Sequence, residues 1–198
     1  MTLDQYRHQA KVYIDPLVRL AIRCRITPNI LTIAAFFASA AAGVFFFARL
    51  ELLGIVAVAV NAFCDAMDGA VAREMKIQSK KGDFLDHAVD RYADIFIITG
   101  IFAGGLVPWQ IGVFALTGVL MASYLGTQAQ AVGVGRYYGG LLGRADRLVL
   151  ILVIGIVDLA VPMSWYGLSW LGWLLVLFGV FGHITAFQRF AYVWRKVE

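Results

Sequence analysis

Carboxylate side chains crowd one short part of this sequence. Seven of its 13 Asp and Glu residues lie within 65–94, at Asp65, Asp68, Glu74, Asp83, Asp86, Asp90 and Asp94. Clustered carboxylates repel one another unless a cation neutralises them, and their oxygens are preferred ligands of Mg²⁺ and Mn²⁺. Two such ions, bound together with substrate phosphates, are the usual arrangement for displacement at phosphorus. The cluster therefore predicts a divalent metal site that acts on a phosphate ester.

The spacing of the aspartates indicates how they converge. Asp65, Asp68 and Ala72 follow one another in steps of three and four, so they share one face of a helix. A second helix face carries four more in similar steps: Asp83, Asp86, Asp90 and Asp94. Helix capping or pairing with nearby Lys and Arg would explain one or two of these residues, with Asp83 and Asp94 as the candidates. It would not explain two stripes.

The composition places both stripes in a membrane protein. Apolar residues make up 61% of the chain and charged residues 15%, and the mean hydropathy is +0.76. Soluble domains have about 45–50% apolar and about 25% charged residues. The net charge of +4 marks no face suited to nucleic acid. Cys24 and Cys64 lack paired spacing, so neither a disulfide nor a zinc framework is expected.

Six segments are long and apolar enough to cross a bilayer, which takes about 20 residues. They are 29–48, 52–73, 84–106, 109–132, 147–165 and 167–191. Before them, 3–25 places apolar side chains at helical spacing among basic ones, which favours a helix in the membrane interface, broken or kinked near Pro16, over a solvated leader. We therefore predict an all-α integral membrane protein, with a juxtamembrane amphipathic helix in 1–26, six transmembrane helices in 27–198 and no cleaved signal peptide.

The positions of Lys and Arg predict the orientation. Most of the 17 lie before the first span, between the second and third, between the fourth and fifth, or at the C-terminus. The loops near Pro108 and Ser164 carry none. The positive-inside rule then places both termini and the two basic loops on the cytoplasmic side of a multi-pass cell-membrane protein. The two acidic faces would meet on that side.

The same residues resemble a family signature. The chain reads D-A-M-D-G-A-V-A-R from Asp65 to Arg73 and, after eight further residues, G-D-F-L-D-H-A-V-D from Gly82 to Asp90. This is similar, without gaps, to the motif of the CDP-alcohol phosphotransferases, D-x2-D-G-x2-A-R-x8-G-x3-D-x3-D. The stretch T-P-N-x-x-T, which starts at Thr27 before the first span, adds to the resemblance.

The resemblance implies an enzyme of phospholipid biosynthesis. Family members transfer a phosphatidyl-type group, with diacyl or archaeol tails, from a CDP-linked lipid to an alcohol hydroxyl and release CMP. The resemblance implies that two Mg²⁺ or Mn²⁺ ions are bound by Asp65, Asp68, Asp86 and Asp90. Asp90 also matches the general base. A homodimer and contact with membrane lipids are further expectations from the family.

The resemblance also implies which residues bind the nucleotide. These are Asn29, Thr32, Asp65, Asp68, Gly69, Ala72, Arg73, Ser79 and Gly82. Gly82 would let the loop between the two acidic helices fold around the cytidine, while helix capping is an equal alternative for Asn29 and Thr32. Packing or supporting roles are expected for His87 and Tyr92.

Arginines beyond the fourth span indicate an acceptor site. The candidates are Arg136, Arg144, Arg147, Arg189 and Gln128. The arginines resemble the segment with which phosphatidylinositol-phosphate synthases and their archaeal relatives, the archaetidylinositol-phosphate synthases, bind the phosphate of the acceptor. Positive-inside anchoring is the alternative. In contrast to the inositol-phosphate synthases, no basic residue follows Ser123-Tyr124 closely, and Gln128 and Gln130 stand there. Inositol phosphate, glycerol phosphate and an uncharged alcohol such as serine or inositol all stay open as acceptors.

Two other protein classes place carboxylates in membranes. Membrane prenyltransferases use Asp-rich motifs with Mg²⁺, but they normally have more spans and two separate acidic motifs. A cation channel or carrier would account for the carboxylates but not for the D-G-x2-A-R sequence that follows Asp65. The transferase reading explains more of the residues.

Overall fold

Seven α-helices make up the described part of the chain, a computed structural model covering residues 7–137, 139–162 and 164–197. They are α1 (Arg7–Arg23), α2 (Pro28–Phe47), α3 (Glu51–Glu74), α4 (Lys80–Ala103), α5 (Trp109–Ala131), α6 (Arg144–Ala160) and α7 (Trp170–Trp194). An isolated bridge between Trp165 and Leu168 is the only β-pairing in those ranges. The all-α prediction is confirmed.

Each of the six predicted spans coincides with one of the helices α2–α7 to within a few residues. Four of these helices have both the length and the apolar composition of a membrane span: α2, α3, α5 and α7. The first half of α4 carries a charged residue at every second position on average, and α6 has only 17 residues. The chain is thus a multi-pass membrane protein whose least apolar long helix bears the second acidic stripe.

Helix α1 lies against the end of α3 that carries the first acidic stripe. Val18 and Ala21 of α1 are buried against Met67 and Val71 of α3. The helix runs without interruption through Pro16, so the predicted break is wrong, and a kink at Pro16 stays a prediction. Proline removes one backbone hydrogen bond of the helix. The contacts of Val18 and Ala21 with α3, on the turns after Pro16, offset this loss. The earlier part of the predicted segment, 1–6, lies outside the described residues.

Helices α2 and α4 approach each other until their backbones touch. A Cβ atom at Gly100 of α4 would collide with the backbone of Gly43 in α2, and one at Gly43 would lie 2.6 Å from the carbonyl oxygen of Phe96. Only glycine allows this approach, which is typical of helix pairs in membranes. Because α3 also packs on α2, this helix fixes α3 and α4 relative to each other.

The apolar core occupies the end of the bundle away from the aspartates. Its fully buried side chains include Phe46, Val58, Ile101, Leu171 and Leu175. Phe46 and Ile101 come from the last turns of α2 and α4, whereas the aspartates lie near the last turns of α3 and the first turns of α4. The core therefore anchors the helices at one end and leaves the other end for polar chemistry.

Candidate active site and metal centre

The two acidic helix faces meet at one end of the bundle. Asp65 and Asp68 lie in the second half of α3, and Asp86 lies in the second turn of α4. A five-residue connection, 75–79, joins the two helices. One carboxylate oxygen from each of these three aspartates lies within 4.8 Å of the other two. The convergence that the spacing predicted is thus present in the fold.

A second group of possible ligands overlaps the first. Asp86, His87 and Asp90 also offer one atom each within 4.8 Å of one another. Both groups are partly buried, and their donors are almost all carboxylate oxygens, which suit a hard divalent cation. Divalent metal binding at this site therefore fits the residues present.

Arg144, the first residue of α6, joins the carboxylates of α3 and α4. Its Nη1 lies 2.5 Å from Oδ1 of Asp90 and also donates to Oδ1 of Asp65. The side chain is only 12% exposed, and its Nε and Nη2 have no hydrogen-bond partner among the described residues. A buried guanidinium with unused donors is suited to an additional anion.

Thr32 connects the first turns of α2 to the acidic cluster. Its hydroxyl lies 2.6 Å from Oδ2 of Asp68 and donates to this carboxylate, which it orients. Asn29 is exposed in the first turn of α2, and the cap of this helix is Thr27, whose hydroxyl accepts from the amide of Ile30. The capping alternative for Asn29 is therefore wrong, and Thr32 acts on Asp68 instead.

The start of α4 differs from the sequence interpretation. Ser79 is the N-cap of α4, and its hydroxyl accepts a 3.1 Å hydrogen bond from the amide of Gly82. Gly82 therefore belongs to the first helical turn, not to the loop. The prediction of a loop glycine is wrong because the capping serine starts the helix three residues earlier. On α3, the guanidinium of Arg73 folds over Gly69, where a Cβ atom would meet Arg73 Nη1 at 3.0 Å.

A cavity of about 990 Å³ extends from the aspartates of α4 to helices α5, α6 and α7. Asp83, Asp86 and Asp90 line one wall. Five arginines line the cavity as well: Arg91, Arg136, Arg144, Arg147 and Arg189. The lining residues of α5 are uncharged and include Ser123, Tyr124 and Thr127. The cavity is therefore lined both by carboxylates of α4, which suit a divalent cation, and by a strongly cationic set of arginines.

Two predicted acceptor residues play different parts from those expected. Gln128 is exposed and does not line the cavity. Arg189 lines it, but Nε donates to the carbonyl of Gly139 at 2.8 Å and Nη1 donates to that of Ala122 at 2.6 Å. Arg189 thus ties the segment before α6 and the helix α5 to α7, with less donor capacity left for a ligand.

Asp94 pairs with arginines in the wall of the cavity. Its Oδ2 accepts from Nη2 of Arg147 at 2.8 Å and lies 3.6 Å from Nη2 of Arg91. Asp94 and Arg147 are both almost fully buried, so each neutralises the other. Asp94 could have been part of the acidic stripe that binds metal or a partner of nearby basic residues, and the structure favours the second role. The sequence interpretation missed Arg91, whose position directly after Asp90 was the available signal.

Comparison with known proteins gives a consistent family assignment. The model of the CDP-alcohol phosphatidyltransferase family matches residues 25–182. Archaetidylinositol phosphate synthase of Pyrococcus horikoshii is 34% identical over 87% of this chain and 91% of its own length. Phosphatidylinositol phosphate synthase of Mycolicibacterium smegmatis is 32% identical, with 88% and 80% covered.

Solved structures agree with the sequence relatives. Phosphatidylinositol phosphate synthase of Mycobacterium tuberculosis with CDP-DAG bound superimposes with a TM-score of 0.78 at 27% identity, covering 91% of this chain and 93% of that one. The same enzyme in complex with manganese and citrate gives a TM-score of 0.79. The family model and the structural superposition therefore both cover the part of the chain that contains the acidic cluster.

Proposed function

This chain belongs to the CDP-alcohol phosphatidyltransferase family, and we propose that it transfers the lipid phosphate of a CDP-linked lipid to inositol phosphate. It is a membrane transferase of phospholipid biosynthesis that releases CMP. The observation that carries the proposal is one cavity that is lined both by three aspartates of α4 and by five arginines. Family membership and this cavity favour the transferase over a prenyltransferase or a cation channel.

The charge of the cavity favours a phosphorylated acceptor. Arg144 keeps two buried donor groups without partners, and Arg136 and Arg147 lie on the same wall. A phosphate monoester would satisfy these donors with charge-assisted hydrogen bonds, whereas inositol has no charged group to offer them. Serine offers one carboxylate, but its ammonium group would be repelled by the surrounding arginines. The relatives named above are synthases of inositol phosphate lipids, which favours inositol phosphate over glycerol phosphate.

The carboxylate wall suits the donor. Asp65, Asp68, Asp86 and Asp90 would hold two Mg²⁺ or Mn²⁺ ions, with Thr32 orienting Asp68. When bound, such ions neutralise the charge that develops on the departing CMP. The remaining nucleotide contacts proposed are Asn29, Gly69, Ala72, Arg73, Ser79 and Gly82, which lie at the ends of α2, α3 and α4 nearest the cluster.

Asp90 lies where the two walls of the cavity meet. It belongs to a possible metal group with Asp86, and its Oδ1 lies 2.5 Å from the guanidinium of Arg144. An acceptor held by its phosphate at Arg144 would present its hydroxyl near Asp90. This carboxylate would take the hydroxyl proton while the new oxygen–phosphorus bond forms and the bond to CMP breaks. Arg144 thus serves to place the nucleophile.

A direct product assay tests this function. Purified protein is given a CDP-lipid with diacyl or archaeol tails, Mn²⁺ and one acceptor at a time: inositol phosphate, glycerol phosphate, inositol or serine. We expect CMP release and a lipid whose mass contains inositol phosphate. A faster reaction with inositol or serine would contradict the proposed acceptor, and no CMP release with any pair would contradict the reaction.

Replacing Arg144 with glutamine is expected to raise the KM for inositol phosphate by about 10- to 100-fold, the loss typical of a charge-assisted hydrogen bond. The KM for the CDP-lipid should rise by less than that for inositol phosphate, because Arg144 reaches the donor only through its contacts with Asp65 and Asp90. Arg195→Gln is the matched control. Arg195 is an exposed arginine at the C-terminal end of α7, and it does not line the cavity. Equal effects of both variants would support the alternative of membrane anchoring alone.

We further propose that α2–α7 all cross the membrane, with α1 in the cytoplasmic interface and both termini in the cytoplasm. Helix α4, with 24 residues, is about 36 Å long, and α6, with 17, is about 26 Å. Both lengths are close to the hydrocarbon thickness of about 30 Å. The charges of α4 lie at its first turns and face the cavity, which reduces their cost in the bilayer. A homodimer stays an expectation from the family.

Cysteine labelling tests this orientation. In a variant without Cys24 and Cys64, we expect Tyr166→Cys to react with a membrane-impermeant maleimide on intact cells, because Tyr166 is 84% exposed in the loop before α7. Lys76→Cys, in the connection between α3 and α4, should react only after permeabilisation. The reverse pattern would contradict the orientation, and labelling of both on intact cells would contradict the number of spans.

A further inference from the structure

Three side chains at the wall of the cavity each contact the other two. His87 and Asp83 lie on α4, and Arg136 lies on the segment between α5 and α6. Nη2 of Arg136 is 3.0 Å from Nδ1 of His87, and its Nη1 is 3.5 Å from Oδ1 of Asp83. Nε2 of His87 is 3.1 Å from the same Asp83 oxygen. All three residues line the cavity.

This geometry allows one arrangement of protons on His87. A guanidinium only donates, so Nδ1 of His87 must accept and carries no proton. The ring proton then lies on Nε2, which faces the Asp83 carboxylate. His87 is therefore an acceptor for Arg136, and the negative charge of Asp83 beside Nε2 favours this tautomer although the contact lacks hydrogen-bond geometry.

The segment that carries Arg136 needs such a contact. The described residues between α5 and α6, 132–137 and 139–143, are not helical, and Gly133 and Gly135 have φ angles of +81° and +86°. A Cβ atom at either glycine would meet nothing within 4 Å, so the chain on this side of Arg136 is loosely surrounded. Amide hydrogen bonds from Val134 to Ala129 and from Tyr137 to Gly126 hold the backbone to α5, whereas packing around the two glycines does little to fix it.

The other side of Arg136 is held against α7. The ring of Tyr137 stacks on that of Tyr192 at 3.9 Å and 9°, and the amide of Leu141 donates to the hydroxyl of Thr185. These contacts fix the backbone after Arg136. The contact with His87 and Asp83 brings its side chain to α4.

The position of Arg136 matters because α5 contributes no charge to the cavity. The α5 residues that line it are Leu120, Ala122, Ser123, Tyr124, Gly126 and Thr127. Arg136 adds positive charge on this side, and at 22% exposed it is within reach of a ligand, whereas Arg189 on the same side already donates to backbone carbonyls. We propose that His87 is a positioning residue that holds Arg136 towards the phosphate of the acceptor. This inference rests on the proposed function and adds a determinant of acceptor affinity to it.

Two substitutions of His87 separate positioning from packing. His87→Leu removes the acceptor atom at similar volume, whereas His87→Asn keeps an oxygen close to the position of Nδ1. We expect His87→Leu to raise the KM for inositol phosphate about tenfold, with kcat and the KM for the CDP-lipid within about twofold. His87→Asn should restore most of the affinity. Thermal unfolding in detergent checks that both variants fold, and equal KM values for His87→Leu and wild type would overturn the proposal.

A double substitution tests whether His87 acts through Arg136. In the His87→Leu, Arg136→Met variant we expect the same KM for inositol phosphate as in Arg136→Met alone, because the coupled residues share one effect. If the increases in KM caused by the two substitutions multiply in the double variant, the residues act independently and the proposal is overturned. Mn²⁺ affinity measured on the same proteins distinguishes the other possible role, since weaker Mn²⁺ binding by His87→Leu and by His87→Asn would make His87 a metal ligand instead.

The experiments distinguish a failure of the proposed role of His87 from a failure of the proposed acceptor. If wild-type protein uses glycerol phosphate in place of inositol phosphate, the proposed acceptor is wrong, and the same KM pattern measured with glycerol phosphate still supports the role of His87. If wild-type protein uses only uncharged acceptors, Arg136 has no phosphate to bind and the positioning proposal is overturned as well.

Discussion

Replacing Asp90 with asparagine is expected to lower kcat about a thousandfold or more. An amide cannot accept the proton of the attacking hydroxyl, and loss of a general base alone costs about 10²- to 10⁴-fold. Asp90 is also one of the partly buried possible metal ligands, so the change weakens a second function of the same side chain. CMP release with saturating CDP-lipid and inositol phosphate measures the effect.

The variant should still fold, because asparagine keeps the size of the side chain and the contact with Arg144. Glu74→Gln provides the matched control, since it also converts a carboxylate to an amide near the cluster, but Glu74 is exposed at the end of α3 and does not line the cavity. We expect it to retain wild-type kcat. A kcat for Asp90→Asn within a few-fold of wild type would remove Asp90 from the reaction.

Removing divalent metal with a chelator is expected to reduce transfer to background. The carboxylate oxygens of Asp65, Asp68 and Asp86 lie within 4.8 Å of one another, so without a cation they would repel the pyrophosphate of the donor. Adding Mn²⁺ or Mg²⁺ in excess should restore the rate. Full activity in the chelator after dialysis would contradict metal dependence.

The metal-free protein should nevertheless stay folded. Arg144 pairs with Asp65 and Asp90, and Arg147 pairs with Asp94, so arginines balance part of the acidic charge within the protein. The temperature of unfolding in detergent is therefore expected to fall only slightly on chelation. This separates a loss of chemistry from a loss of structure.

The acidic cluster was predictable because helical periodicity alone fixes it. Asp65 and Asp68 share a face at a spacing of three, Asp86 and Asp90 at a spacing of four, and the basic loops place both helix ends on one side. These features are local, and the short connection 75–79 leaves the two helices little choice but to lie side by side.

Contacts between distant parts of the chain were not predictable. Arg147 meets Asp94 across 53 residues, and Arg136 meets His87 across 49, through a segment without periodic structure. Nothing in the sequence indicates how such a segment folds. Gln128 illustrates the same limit, because it lies one residue and about 100° around the helix from Thr127, which does line the cavity.

The start of α4 was a local error that a local signal would have corrected. Ser79 is a residue type preferred at the N-cap, three positions before Gly82, and it sets the first turn. The prediction that Gly82 lies in the loop considered only its lack of a side chain and overlooked Ser79 as the N-cap.

Direct measurement of Mn²⁺ binding tests the central claim that aspartates of α3 and α4 hold divalent ions jointly. Purified protein with CDP-lipid is titrated with Mn²⁺ and free ion is followed by electron paramagnetic resonance. We predict about two bound ions per chain, and weaker binding in both Asp65→Asn, on α3, and Asp86→Asn, on α4, with Glu74→Gln unchanged. Undiminished binding in either aspartate variant would contradict a site shared by the two helices.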